Sequence, residues 1–261
     1  MGCAVLKKRL IGVITVRRGW AVQSFGYRRW LPLGRPEVLA QNLDRWGVDE
    51  IFVQAIDRSA ARSGPDLELL ARLGRMGLST PLIYGGGIAT LADANRAVSG
   101  AADRVCVDVL LRDDPREVER ISRHLGAQAV IGALPLARRD GALCWFDHRD
   151  RSEAPLAPQA LELFRAGVVS EALLIDWRNE GSRAGFDESL LEAFPVAEVP
   201  LIAFGGLSEP VQLRRVLGLP RVSAAALGNF LNYAEHAVQH YRQQLAGVAL
   251  RPADYRAMGE P

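Results

Sequence analysis

Cysteine is scarce: Cys3, Cys106 and Cys144 are the only three, widely spaced, and Cys106 lies inside an apolar run. That excludes a disulfide framework and gives no metal-ligand spacing, so a reducing cytoplasm is expected, with no metal and no cofactor. Histidine is equally thin. His124, His148, His236 and His240 fall on predicted helices or a hairpin rather than at strand ends, so solvated roles are expected and no histidine mechanism follows. No apolar stretch approaches the roughly 18 residues of a membrane span, and MGCAVLKKRL shows no apolar core before a cleavage site. An excess of one charge is missing too. With 32 basic and 30 acidic residues the net charge is +2, which leaves no electrostatic footprint for nucleic acid.

What is present is a regular alternation. Short apolar runs at 9–16, 50–56, 80–84, 104–110, 128–134, 171–177, 199–204 and 222–227 read as strands, and the amphipathic segments between them read as helices. Those helices lie at about 36–46, 65–76, 90–99, 114–125, 157–166, 187–194, 208–217 and 233–246. Eight β-α units in 261 residues that are 49% hydrophobic predict an α/β fold, a (β/α)8 barrel, with a doubly wound sheet as the alternative.

The two halves of the chain also resemble each other. Arg62-Ser63-Gly64-Pro65-Asp66 matches Arg183-Ala184-Gly185-Phe186-Asp187, Glu50 matches Glu171, and Gly85-Gly86 matches Gly205-Gly206, all at offsets near 120. Tight turns at Arg18-Gly19 and Asp140-Gly141 repeat at about the same offset. A duplicated half-barrel follows: one domain over 1–261, with halves of about 8–126 and 127–246 and a short extension at 247–261. After the first turn, Phe25–Pro32 is basic and aromatic enough to be either a lid over a ligand or a packed surface loop.

Four charges head predicted strands: Arg9, Glu50, Arg104 and Glu171. An ionised group at the start of a buried strand is costly unless paired. In a closed barrel, alternation turns all four inward as a ring of alternating sign, a plug or gate at the N-terminal end. In an open arrangement they are ordinary strand-end charges in solvent. At the other end, Tyr84-Gly85-Gly86-Gly87 follows the third strand, Phe204-Gly205-Gly206 the seventh and Gly228-Asn229 the eighth. Glycine lets backbone N–H groups approach an anion, and the seventh and eighth loops commonly hold phosphate in such barrels. A substrate with phosphate at both ends is expected, held better at Gly205-Gly206 and Gly228-Asn229 than at Gly85-Gly86, where Asp108 and Leu110 crowd the corner.

The motifs KKRLIGV, WGVDEIFVQAID, PLIYGGGI, GAADRVCVD, LGAQAVIGAL, EGSRAGFD, PLIAFGG and AALGNF, in that order over roughly 8–246, resemble the cyclase subunit of imidazole glycerol phosphate synthase. The similarity extends to divergent paralogues associated with surface-polysaccharide sugar amidation. It implies a glutaminase partner on the N-terminal face, ammonia passing through the barrel, Arg9, Glu50, Arg104 and Glu171 as its gate, and Asp103 at the partner interface. It also implies an aspartate general acid and base at two positions that here are Thr15 and Pro135, a lysine at Gln23, an asparagine at Asp108, and a threonine and aspartate at Ile175 and Glu180. Neither threonine nor proline shuttles protons near neutrality. Asp108 is therefore the remaining catalytic candidate, ahead of Asp57 and Asp176. The leading expectation is a synthase-like barrel that passes ammonia to a phosphorylated or nucleotide-linked sugar. Its alternatives are a histidine-pathway cyclase with altered acid and base, and a silent scaffold.

Overall fold

The computed structural model describes residues 7–253, so Cys3, the first six residues and the end of the 247–261 extension lie outside the described residues. Its strands are β1 (Arg9–Arg17), β2 (Trp20–Phe25), β3 (Arg29–Gly34), β4 (Glu50–Ala55), β5 (Leu82–Gly85), β6 (Arg104–Val107), β7 (Val130–Arg139), β8 (Ala142–Asp147), β9 (Ser152–Pro155), β10 (Glu171–Asp176), β11 (Leu201–Phe204) and β12 (Val222–Leu227). Eight of them, β1, β4, β5, β6, β7, β10, β11 and β12, pair in that order, all parallel, and β12 pairs with β1 to close the sheet. The expected (β/α)8 barrel is formed. Helices Pro36–Trp46, Leu67–Gly74, Leu91–Gly100, Pro115–Leu125, Pro158–Arg165, Ser189–Ala193, Pro210–Gly218 and Ala237–Gln244 follow the eight strands in turn. No helix is long and apolar enough to cross a membrane among the described residues.

Alternation divides the core in two. Ile11, Val13, Phe52, Ile83, Cys106, Ile131, Leu173, Ile175, Ile202 and Phe204 fill the barrel, while a larger layer that includes Leu10, Val53, Leu134 and Leu174 packs against the helices. The run expected as strand over 104–110 ends at Val107. There the Asp108 carbonyl accepts from Leu111 N at 2.9 Å and opens a helical turn, Leu110–Asp113.

Both half-barrels begin with a long strand that carries an antiparallel hairpin. β2 and β3 extend β1, and β8 and β9 extend β7. Each hairpin turns through two residues with positive φ, Arg18-Gly19 and Asp140-Gly141, the geometry of a type I′ turn. The glycine match of the two halves needs one correction. Gln54 lies beside Gly85 and Ile175 beside Phe204, so Gly85 corresponds to Phe204, and Gly86-Gly87 to Gly205-Gly206. The close approaches agree. A methyl group on Gly86 would collide with the Ala55 carbonyl and one on Gly205 with the Asp176 carbonyl, while Gly87 and Gly206 press on the carbonyls of Gly64 and Gly185. Gly86→Ala, at φ +122°, is expected to cost about 1–3 kcal/mol, measured by urea unfolding. A loss below about 0.5 kcal/mol would mean that this turn yields easily.

Candidate functional site

At the N-terminal end the four strand-heading charges meet inside the barrel. Arg9 Nη1 reaches Glu50 at 2.6 Å and Arg9 Nη2 pairs with Glu171; Arg104 reaches Glu50 at 3.1 Å and Glu171 at 2.8 Å. Each cation touches both anions, so the ring closes. The donors left over are used as well: Arg104 Nη2 bonds Ser170 Oγ at 2.8 Å, Arg9 Nη2 bonds Ser223 Oγ at 3.1 Å, and Ser223 Oγ donates to Glu171. Burial alone would raise the Glu171 carboxyl; Arg9, Arg104 and Ser223 outweigh it and hold the group below the usual carboxylate range. Asp103 is exposed beside the ring, and its carboxylate accepts from Leu82 N at 2.7 Å, fixing the start of β5. Asp49 does the same for Leu10 N on β1.

At the C-terminal end the mouth is asymmetric. A cavity of about 340 Å³ opens on the β4–β7 side, lined among others by Arg17, Gln54, Asp57, Gly85, Gly86, Asp108, Pro135, His148 and Arg151. Gly85 lines this cavity at the inward position that Phe204 occupies across the barrel, and the Phe52 ring and Cys106 pack against it there. Beside Gly205, Gly206, Gly228 and Asn229 only about 10 Å³ remains, less than one water needs with any margin. The stronger anion corner expected from the sequence is thus the closed one in this conformation, and the roomy corner is at Gly85-Gly86.

The corner is closed by the β2–β3 hairpin, whose tip belongs to the segment expected as either a lid or a packed surface loop. Asn229 Nδ2 donates to Ser24 O at 2.7 Å and its Oδ1 accepts from Ser24 N at 3.3 Å, so this amide serves the hairpin backbone. Glu180 is buried and accepts from Ser24 Oγ at 3.0 Å and Tyr27 N at 3.2 Å, while its carbonyl accepts from Gly26 N at 2.9 Å. Tyr27 packs with Phe146 and Trp177, whose rings stack 4.0 Å apart.

Burial pushes the Glu180 carboxyl up to about 7, although the hydrogen bonds from Ser24, Tyr27 and Gly26 oppose the rise. Because the folded value is the higher one, the closed hairpin holds a proton that the open, solvated carboxylate releases. Closure is therefore strongest below about pH 4.5 and weakens until about pH 7, by up to about 1.4 kcal/mol per pH unit. Amide exchange at Ser24 and Tyr27, corrected for its intrinsic pH dependence, is expected to accelerate across that window and to lose this dependence in Glu180→Gln. A flat profile in the parent would contradict the coupling.

A family model described as "Histidine biosynthesis protein" matches residues 9–237. The chain belongs to this family. It is 30% identical over 253 residues to the imidazole glycerol phosphate synthase subunit HisF of Solibacter usitatus, covering 95% of this chain and 99% of that one. Over 257 residues it is 30% identical to the HisF of Lysinibacillus sphaericus, covering 95% and 100%. The HisF of an Exiguobacterium species, strain AT1b, is 26% identical over 240 residues, covering 91% and 93%.

Within this family member, the two positions that the resemblance makes acidic are Thr15, buried on β1, and Pro135, at the cavity wall on β7. Asp57 lines the cavity and accepts from Arg18 N at 2.9 Å. Asp176 faces the helix side, buried and accepting from Asn179 and from Asp187 N at 2.8 Å, which is a structural role. Asp108 lines the cavity with its side chain 30% exposed.

His148 corrects the expectation of a solvated histidine. It sits in the β8–β9 turn with its side chain 19% exposed, and Nδ1 lies 3.4 Å from Asp108 Oδ2. The signal was in the repeat: an offset of about 121 carries Tyr27, at the tip of the first hairpin, onto His148 at the tip of the second. Arg17 and Arg151 were missed as well. Both line the cavity, Arg17 over the Trp30 ring at 4.2 Å and Arg151 bonded to Tyr27 O at 3.4 Å.

Proposed function

We propose that this barrel receives ammonia from a partner glutaminase docked on its N-terminal face and delivers it to the amidation of a phosphorylated or nucleotide-linked sugar, without the aspartate pair of the cyclases. In this reading the halves act as one domain, Arg9, Glu50, Arg104 and Glu171 are the gate, and Asp103 contributes to the partner interface. Gly85, Gly86, Gly205, Gly206, Gly228 and Asn229 form the anion-binding loops, the last four only once the β2–β3 hairpin lifts. The observation that carries the reading is a combination. A complete, largely buried charge ring is present at one end of an apolar barrel interior, while Thr15 and Pro135 stand at the acid and base positions of the other. A neutral molecule such as ammonia enters an apolar interior at far less cost than an ion.

Co-purification with a co-expressed glutaminase of the imidazole glycerol phosphate synthase type, followed by an ammonia-release assay, tests the reading. Stable association and glutamine hydrolysis stimulated by the barrel are expected; no association would remove it.

A second reading has its own support. The relatives carry the name of imidazole glycerol phosphate synthase, and Asp108 offers one carboxylate at the cavity, so a cyclase with altered acid and base fits the same comparisons. The product formed from the histidine-pathway ribonucleotide decides between the two.

A further inference from the structure

A histidine and a carboxylate from two different elements converge on the same wall of the cavity. Asp108 stands just past the end of β6, and His148 is brought to it by the β8–β9 turn. The turn is clamped from below. Asp147, 3% exposed, accepts from Arg149 N at 2.9 Å, from Arg149 Nη2 at 2.7 Å and from Arg112, and Arg149 also reaches Asp113 in the helical turn after β6. Burial would raise the Asp147 carboxyl, yet Arg149 and Arg112 hold it far below the usual range, so the clamp stays charged. Asp147 and Arg149 flank His148 in the chain, so fixing them fixes the imidazole between them. Its Nδ1 lies 3.4 Å from Asp108 Oδ2, an ion-pair distance without hydrogen-bond alignment, and Nε2 has no protein hydrogen-bond partner among the described residues.

A carboxylate on Nδ1 selects the tautomer whose Nε2 is unprotonated, and it stabilises the imidazolium once Nε2 takes a proton. We propose that Asp108 and His148 are a proton-transfer pair serving the chemistry of this cavity, in place of the acid and base that Thr15 and Pro135 do not provide. Nε2 accepts one proton from the attacking group and returns it to the departing or developing oxygen; Asp108 orients the ring, and nothing is oxidised or reduced. The separation of 3.4 Å is that of a poised pair, and such contacts shorten when substrate fills the site. The proposal deepens the ammonia-delivery reading and needs a reacting substrate in the cavity, but its test uses neither the glutaminase nor that substrate.

The test is made on the full chain labelled with 15N-histidine, with His148 assigned by His148→Gln. With its imidazoles neutral at alkaline pH, the parent is expected to show the Nδ1–H tautomer at His148, and diethylpyrocarbonate to modify that residue. The other charged groups at the cavity, Arg17 on β1, Asp57 after β4 and Arg151 in the same turn, remain in place in Asp108→Asn. Loss of the Asp108 carboxylate should therefore remove the preference for the Nδ1–H tautomer, whereas Asp57→Asn should leave it in place. An Nε2–H tautomer in the parent overturns the proposal. So does a His148 inert to the reagent, or one whose tautomer is the same in Asp108→Asn: the contact would then only hold the hairpin.

Discussion

Glu171→Ala is expected to lower the unfolding free energy by about 3–5 kcal/mol. The carboxylate is buried, and its removal leaves Arg9 and Arg104 sharing Glu50 alone, a ring with one uncompensated positive charge away from water. Urea unfolding of parent and variant measures the effect. Glu171→Gln keeps a hydrogen-bonding side chain of the same size and should lose less. The same carboxyl is held below its ordinary value of 4.5, so its contribution is complete above about pH 4.5 and is lost as the pH falls through the lower folded value. With the glutaminase bound, the ring variants should release ammonia to solvent while hydrolysis continues. If they lose stability but remain coupled, the ring is a structural plug and the gate reading fails.

Supplied with free ammonia and the histidine-pathway ribonucleotide, the purified chain should form imidazole product slowly, by about 10²–10⁴ for each missing proton-transfer group. The reason is local chemistry: Pro135 has no exchangeable proton on its side chain, and the Thr15 hydroxyl does not ionise near neutrality. Restoring aspartate at both positions, Thr15→Asp with Pro135→Asp, tests whether the deficit lies there; Pro135 already borders the cavity, so an aspartate there meets the substrate directly. Turnover of the parent at ordinary enzyme rates of about 1–10³ per second would show that other groups have replaced the pair and would favour the cyclase reading. In that event His148→Gln should abolish it.

The sequence alone determined the barrel. Eight apolar runs of strand length, each followed by an amphipathic helix, call for a parallel sheet covered by helices, the half-chain repeat favours the barrel over a doubly wound sheet, and in the closed barrel alternation decides which side chains face inward. It placed the four ring charges at strand starts, because an ion heading an apolar run stands out within a few residues of chain. The absence of acidic groups at 15 and 135 was equally plain, since it depends on residue identity and nothing else. Tertiary structure decided what depends on how loops meet. Two glycine loops that look equivalent in the chain stand one residue apart in register, so Gly85 and Phe204 occupy matching inward positions. Asn229 and Glu180, separated from Ser24 by about 205 and 156 residues, close the corner at Gly205-Gly206 and Gly228 by hydrogen bonds that no local pattern encodes. His148, an unremarkable turn residue in the sequence, reaches Asp108 because a salt-bridge network folds its hairpin over the mouth. Strand periodicity is a property of neighbours along the chain, whereas the working end of this barrel is assembled from loops whose partners lie on other strands.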